Sequence, residues 1–167
     1  MGYEGLGDIV EFSIGLAGFS AVVTAFLHRS RILTPVDRFR TINLLLLALT
    51  PAFLVFLFNG LTSMFENAVF VSRLSSAVFA AWLACMLLYV YRAKQRLPAE
   101  HEAALSNAIF LGMYAVGTAM VIVLGASAAF GQRYVHSTFY FGLVILLLFA
   151  VIQFIRILIG ARVEDDT

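Results

Sequence analysis

Charge is scarce in this chain. Asp, Glu, Lys and Arg together make up 13% of its 167 residues, about half the usual share of a soluble domain. The apolar fraction is 62% and the mean hydropathy +0.95. A water-soluble protein this small leaves too much of its surface exposed to hide so much apolar area. An ordinary soluble enzyme, a disordered chain and a DNA-binding domain are excluded on that ground. The net charge of +1 carries no bias toward nucleic acid or any other charged partner. Cys85 is the single cysteine, which excludes an internal disulfide and a cysteine-based zinc site. No HExxH, phosphate-cradling glycine loop or nucleophile–base pair is present, so the sequence points to no enzyme and to no metal or cofactor.

What the chain does have is five long apolar runs, at 9–27, 41–61, 74–91, 105–130 and 138–160. A bilayer core about 30 Å thick needs about 20 apolar residues of helix. In hydrocarbon every backbone polar group must be bonded internally, and no strand-like alternation suggests a barrel. The pattern predicts an all-α membrane domain spanning 1–167, with helices at 9–27, 35–61, 72–93, 98–130 and 138–160. Helix-start chemistry sits between the runs. Asp8 and Glu11 read as a capping box. Thr34 can cap helix 2 with Pro35 at its first position and Asp37 on its positive end. Ser72 can cap helix 3, or Asn67 if that helix begins earlier. Pro98 with Glu100 and Glu102 opens helix 4, and Ser137 or Thr138 caps helix 5. Pro51, inside helix 2, predicts a kink, with the Thr50 hydroxyl available to a freed carbonyl.

Nine of the eleven basic residues fall on one side of five alternating spans: Arg29, Arg31, Arg38, Arg40, Arg92, Lys94, Arg96, Arg156 and Arg162. The positive-inside rule then places the N-terminus outside and the C-terminus in the cytoplasm. Tyr3, Tyr134 and Tyr140 at one boundary and Tyr89 and Tyr91 at the other fit an aromatic belt. The start lacks a basic n-region and a small-residue cleavage site, so helix 1 is expected to stay. Small residues at four-residue spacing (Ser13, Ala17, Ala21 and Ala25; Ser76, Ala80 and Ala84) or along one face (Ala108, Gly112, Ala115, Ala119 and Ala126) predict that helices 1, 3 and 4 pack tightly. The bulkier helices 2 and 5 are expected to face lipid or a neighbouring subunit.

An ionisable group deep in a membrane marks function by default. None is expected at the centre of these spans, where the polar residues are Ser20, Thr24, Thr50, Cys85, Tyr114 and Thr118. That argues against a proton relay. His28, His101 and His136 fall at span ends, which argues against bis-histidine haem. Three candidate sets remain. Glu4, Asp8, Glu11 and Glu66 would form an acidic outer rim. Thr24, Tyr114 and Thr118 would line a narrow polar path. Arg29, Arg31, Arg38, Arg40, Arg92, Lys94 and Arg96 would meet anionic lipid headgroups. Each set also has a plainer reading, as caps and solvated charge, an interhelical hydrogen bond, and topology determinants.

The stretch from Gly15 to Val23, with its Ala-Gly-Phe-Ser core, followed by Pro35-Val36-Asp37-Arg38-Phe39-Arg40, resembles a group of small multi-span membrane proteins of bacteria. The likeness covers the first third of the chain and implies a bacterial inner membrane, without implying an activity. Two functions fit these features. One is a homo-oligomeric channel or pore-forming protein, in which an acidic rim would favour cations. The other is a non-catalytic accessory or scaffold subunit docked on a larger membrane complex. The expected partners are the lipid bilayer and either further copies of the chain or other membrane subunits, with no nucleic acid.

Overall fold

The computed structural model describes residues 4–27, 35–96, 107–130 and 135–165. They form five helices: α1 (Glu4–Leu27), α2 (Pro35–Met64), α3 (Ala68–Gln95), α4 (Asn107–Phe130) and α5 (Val135–Asp165). Each is long and apolar enough to cross a membrane, so the architecture is that of a multi-pass membrane protein. The shortest, α1 and α4, have 24 residues, or about 36 Å of helix at 1.5 Å per residue.

Several helices outrun their apolar stretches, because backbone hydrogen bonding continues through polar residues that hydropathy does not register. The helix α1 already runs at Glu4, so Asp8 lies inside it and is not its cap. Likewise α5 is helical from Val135, which places Ser137 and Thr138 within it. Pro35 stands at the first position of α2 with Asp37 in the first turn, as the sequence predicts. The cap of α3 is Asn67 rather than Ser72. The Asn67 Oδ1 accepts from the Val69 and Phe70 N–H groups, both at 3.1 Å. Ser72 is one turn inside the helix and donates to the Ala68 carbonyl at 2.7 Å. The predicted opening of helix 4, with Pro98, Glu100, His101 and Glu102, lies outside the described residues.

Pro51 is carried inside α2 and, having no N–H, leaves the carbonyl four residues earlier, that of Leu47, without its helical donor. The Thr50 Oγ1 donates to the carbonyl of Leu46, at 2.6 Å, the common back-bond of a helical threonine.

The chain forms two compact units. The first comprises residues 1–53 and 143–167, and thus α1, the first part of α2 and most of α5. Its interior contains Leu44 and Ala48 from α2 and Leu143, Leu146 and Ala150 from α5, all fully buried. From α1, Ile9, Ser13, Ala17 and Ser20 turn inward. The predicted stripe through Ala21 and Ala25 leaves the interior after Ala17, and both alanines are exposed. A step of four residues overshoots a 3.6-residue turn by about 40°, so a strict four-residue stripe winds out of a straight interface. Phe19 and Phe154 meet at 5.6 Å between ring centroids.

The second unit is residues 54–142. Phe79, fully buried on α3, packs edge-on against Phe139 at 5.7 Å, and Phe139 in turn meets Phe58 at 5.4 Å. Beside them Gly142 is a notch: a Cβ there would lie 2.7 Å from the Phe79 ring. The buried face of α3 runs Val71, Ser72, Ser75, Ser76, Phe79, Ala80, Leu83 and Met86, the three-and-four rhythm of a helix with one packed side. Gly117 of α4 lets Leu87 of α3 approach closely.

The helices α3 and α4 pack against each other as expected, but the expected exposure of the bulky helices is reversed. In α2, 56% of the span is buried, and in α4 only 17%. The bulky side chains of α2, including Leu44, Leu54, Val55 and Phe58, fill the interior, since they supply the volume that close packing requires. The small residues Gly112, Ala115 and Ala119 of α4 face outward.

Candidate functional site

Polar groups gather at two places in the second unit. The first is where α3 starts, α4 ends and α5 starts. With Asn67 as its cap, α3 presents Ser72 and Arg73 side by side but in different directions. Ser72 is buried, and its Oγ lies 3.2–3.3 Å from the ring nitrogens of His136. The same Oγ donates to the Ala68 carbonyl at 2.7 Å, so the hydroxyl is shared between its own helix and the imidazole. The His136 ring also meets Phe58 edge-on, at 6.5 Å.

Arg73 is exposed and reaches across to the end of α4. Its Nε donates to the Ala128 carbonyl at 2.8 Å and its Nη2 to the Ala129 carbonyl at 2.7 Å. The last carbonyls of a helix lack intrahelical donors and carry its negative end, so the guanidinium caps α4 with both hydrogen bonds and charge. Next to it opens a cleft of about 470 Å³ lined by Asn67, Val69, Phe70, Arg73, Leu74, Ala77 and Ala128.

The second place is the opposite end of α3. Arg92 and Lys94 lie in its last turn, and the Arg96 N–H donates to the Ala93 and Lys94 carbonyls. Lys94 Nζ lies 4.5 Å from the centre of the Phe110 ring on α4, a cation–π contact. Tyr114 stacks on Phe110 at 6.2 Å and meets Tyr91 at 6.1 Å.

The predicted sets fare differently. Asp8 and Glu11 are exposed on α1, and Glu66 is exposed before α3. Among the described residues no three His, Cys, Asp or Glu side chains converge. Glu4 is helical. Of the polar path, Thr24 is half-buried in the first unit, and Thr118 is exposed with its hydroxyl donated to the Tyr114 carbonyl of its own helix, at 2.8 Å. That hydroxyl hydrogen is therefore used within its own helix. Among the basic residues, Arg38 is exposed and Arg40 half-buried on α2, while Arg29 and Arg31 lie outside the described residues.

The Ser72–His136 bond and the Arg73 clamp were not anticipated. The signal for both was Asn67, which as N-cap moves Ser72 and Arg73 from a connection into the first turns of a span. No protein-family model, curated protein or solved structure matches this chain.

Proposed function

We propose that the protein is a homo-oligomeric, channel-type protein of a bacterial inner membrane, with its N-terminus outside and any conducting pathway between copies. The observation that carries this reading is α4. It is the least buried helix at 17%, and it turns Gly112, Ala115 and Ala119 outward. Small residues at this spacing allow close approach of a second membrane helix. Asp8, Glu11 and Glu66 are exposed and available to an acidic mouth that would favour cations.

Measuring the mass of the purified protein, together with particle averages, tests the assembly; a ring of identical subunits with an axial opening is expected. In liposomes, Glu11→Gln and Glu66→Gln are expected to lower cation selectivity, and unchanged selectivity in both removes the acidic mouth. A second reading, an accessory subunit of a larger membrane complex, is favoured by Thr118, whose hydroxyl is spent on its own backbone. A stable monomer that co-purifies with other membrane subunits would establish it in place of the channel.

A further inference from the structure

We propose that the cleft between the start of α3 and the end of α4 is an anionic phospholipid site, with the lipid phosphate on Arg73 and the upper acyl chain along Leu74 and Ala77. Arg73 has five N–H donors, and the two carbonyl bonds at Ala128 and Ala129 use two of them. Those bonds fix the guanidinium in place. They leave Nη1 and one Nη2 hydrogen, adjacent donors in the fork that matches a phosphate oxygen pair. No carboxylate among the described residues pairs with Arg73; its partners there are the two carbonyls. Glu66, which precedes the helix, makes no ion pair with it.

Position supplies the second argument. Arg73 is the sixth residue of α3, about 7.5 Å along the helix from Ala68. In a span that begins there, this is the depth at which phosphates give way to acyl chains. The Ala128 and Ala129 carbonyls meet part of the need of a cation at that level, and an anionic headgroup would meet its remaining donors. The walls beyond it are apolar, with Leu74 half-buried and Ala77 exposed, while Val69 and Phe70 lie on the headgroup side of Arg73. Cationic at Arg73 and apolar deeper in the span, the cleft complements one kind of membrane molecule in both charge and polarity. It is independent of the oligomer proposed above, because all seven lining residues belong to the α3–α4 pair and its cap.

Native mass spectrometry of the detergent-purified full chain, titrated with phosphatidylglycerol or phosphatidylcholine, tests this. The expected result is one phosphatidylglycerol retained in preference to phosphatidylcholine by about tenfold. Excess inorganic phosphate is expected not to displace it, since the acyl chain contributes; displacement would assign the site to free phosphate and overturn the lipid. Arg73→Ala removes the clamp as well as the charge, so two milder variants decide. Ala77→Trp fills the groove and leaves Arg73 intact, and Arg73→Lys keeps the charge but loses the fork. Loss of the retained lipid in Ala77→Trp, with weakened preference in Arg73→Lys, is expected. Equal retention of both lipids by the native chain, or native retention in Ala77→Trp, overturns the proposal.

Discussion

At the scale of single residues, two glycines on neighbouring helices answer different questions. Gly142 sits against Phe79, and an added Cβ would approach its ring carbons to 2.7 and 3.1 Å and the Met120 methyl to 3.3 Å. Phe79 is fully buried and backed by Phe139, so it has nowhere to retreat. Gly142→Ala is expected to destabilise the fold by about 1–3 kcal/mol through overpacking, seen as a lowered midpoint of thermal unfolding in detergent. Gly112 has nothing within 4 Å of an added Cβ. Gly112→Ala is therefore expected to be neutral or stabilising, by up to about 1 kcal/mol of helix propensity. Gly112→Leu is expected to leave the subunit folded while lowering the oligomer mass; an unchanged mass would detach α4 from the assembly.

At the scale of elements, α3 is held at its start by one side chain. Asn67→Ala removes the acceptor for two helix N–H groups and is expected to cost about 1 kcal/mol, whereas Asn67→Asp keeps it. Equal unfolding midpoints for Asn67→Ala and the native chain would show that the cap carries no weight. The helices themselves were legible because a span must be apolar for about 20 residues, and all five apolar runs became helices. Their ends were not, since hydropathy marks the membrane segment, while the helix runs on through Glu4, Asp8 and Val135. Packing was misread for a related reason. Small residues permit close approach but do not say which neighbour approaches. Ala17 found one inside its unit and is buried, while Ala21 and Ala115 face outward. The Arg73 site was hidden because its meaning depends on the position of Asn67 and on carbonyls 55 and 56 residues away in the chain.

At the scale of the whole molecule, the proposed orientation rests on the basic residues, nine of eleven of which share one side if the five spans alternate. A fluorescent protein fused to the C-terminus is expected to fluoresce, and an alkaline phosphatase fused there to stay inactive, as the positive-inside rule requires. Active phosphatase would invert the topology. The Arg73 clamp has a consequence for the order in which the protein is made. A nascent chain that has emerged through α4 already holds both halves of that contact, and also Lys94 with Phe110 and Gly117 with Leu87. Phe79 has to wait longer, because Phe139 and Gly142 arrive only with α5. Synthesis thus makes a paired hairpin available first and fills its aromatic centre last, so until α5 is delivered Phe79 lacks its ring partner and its notch.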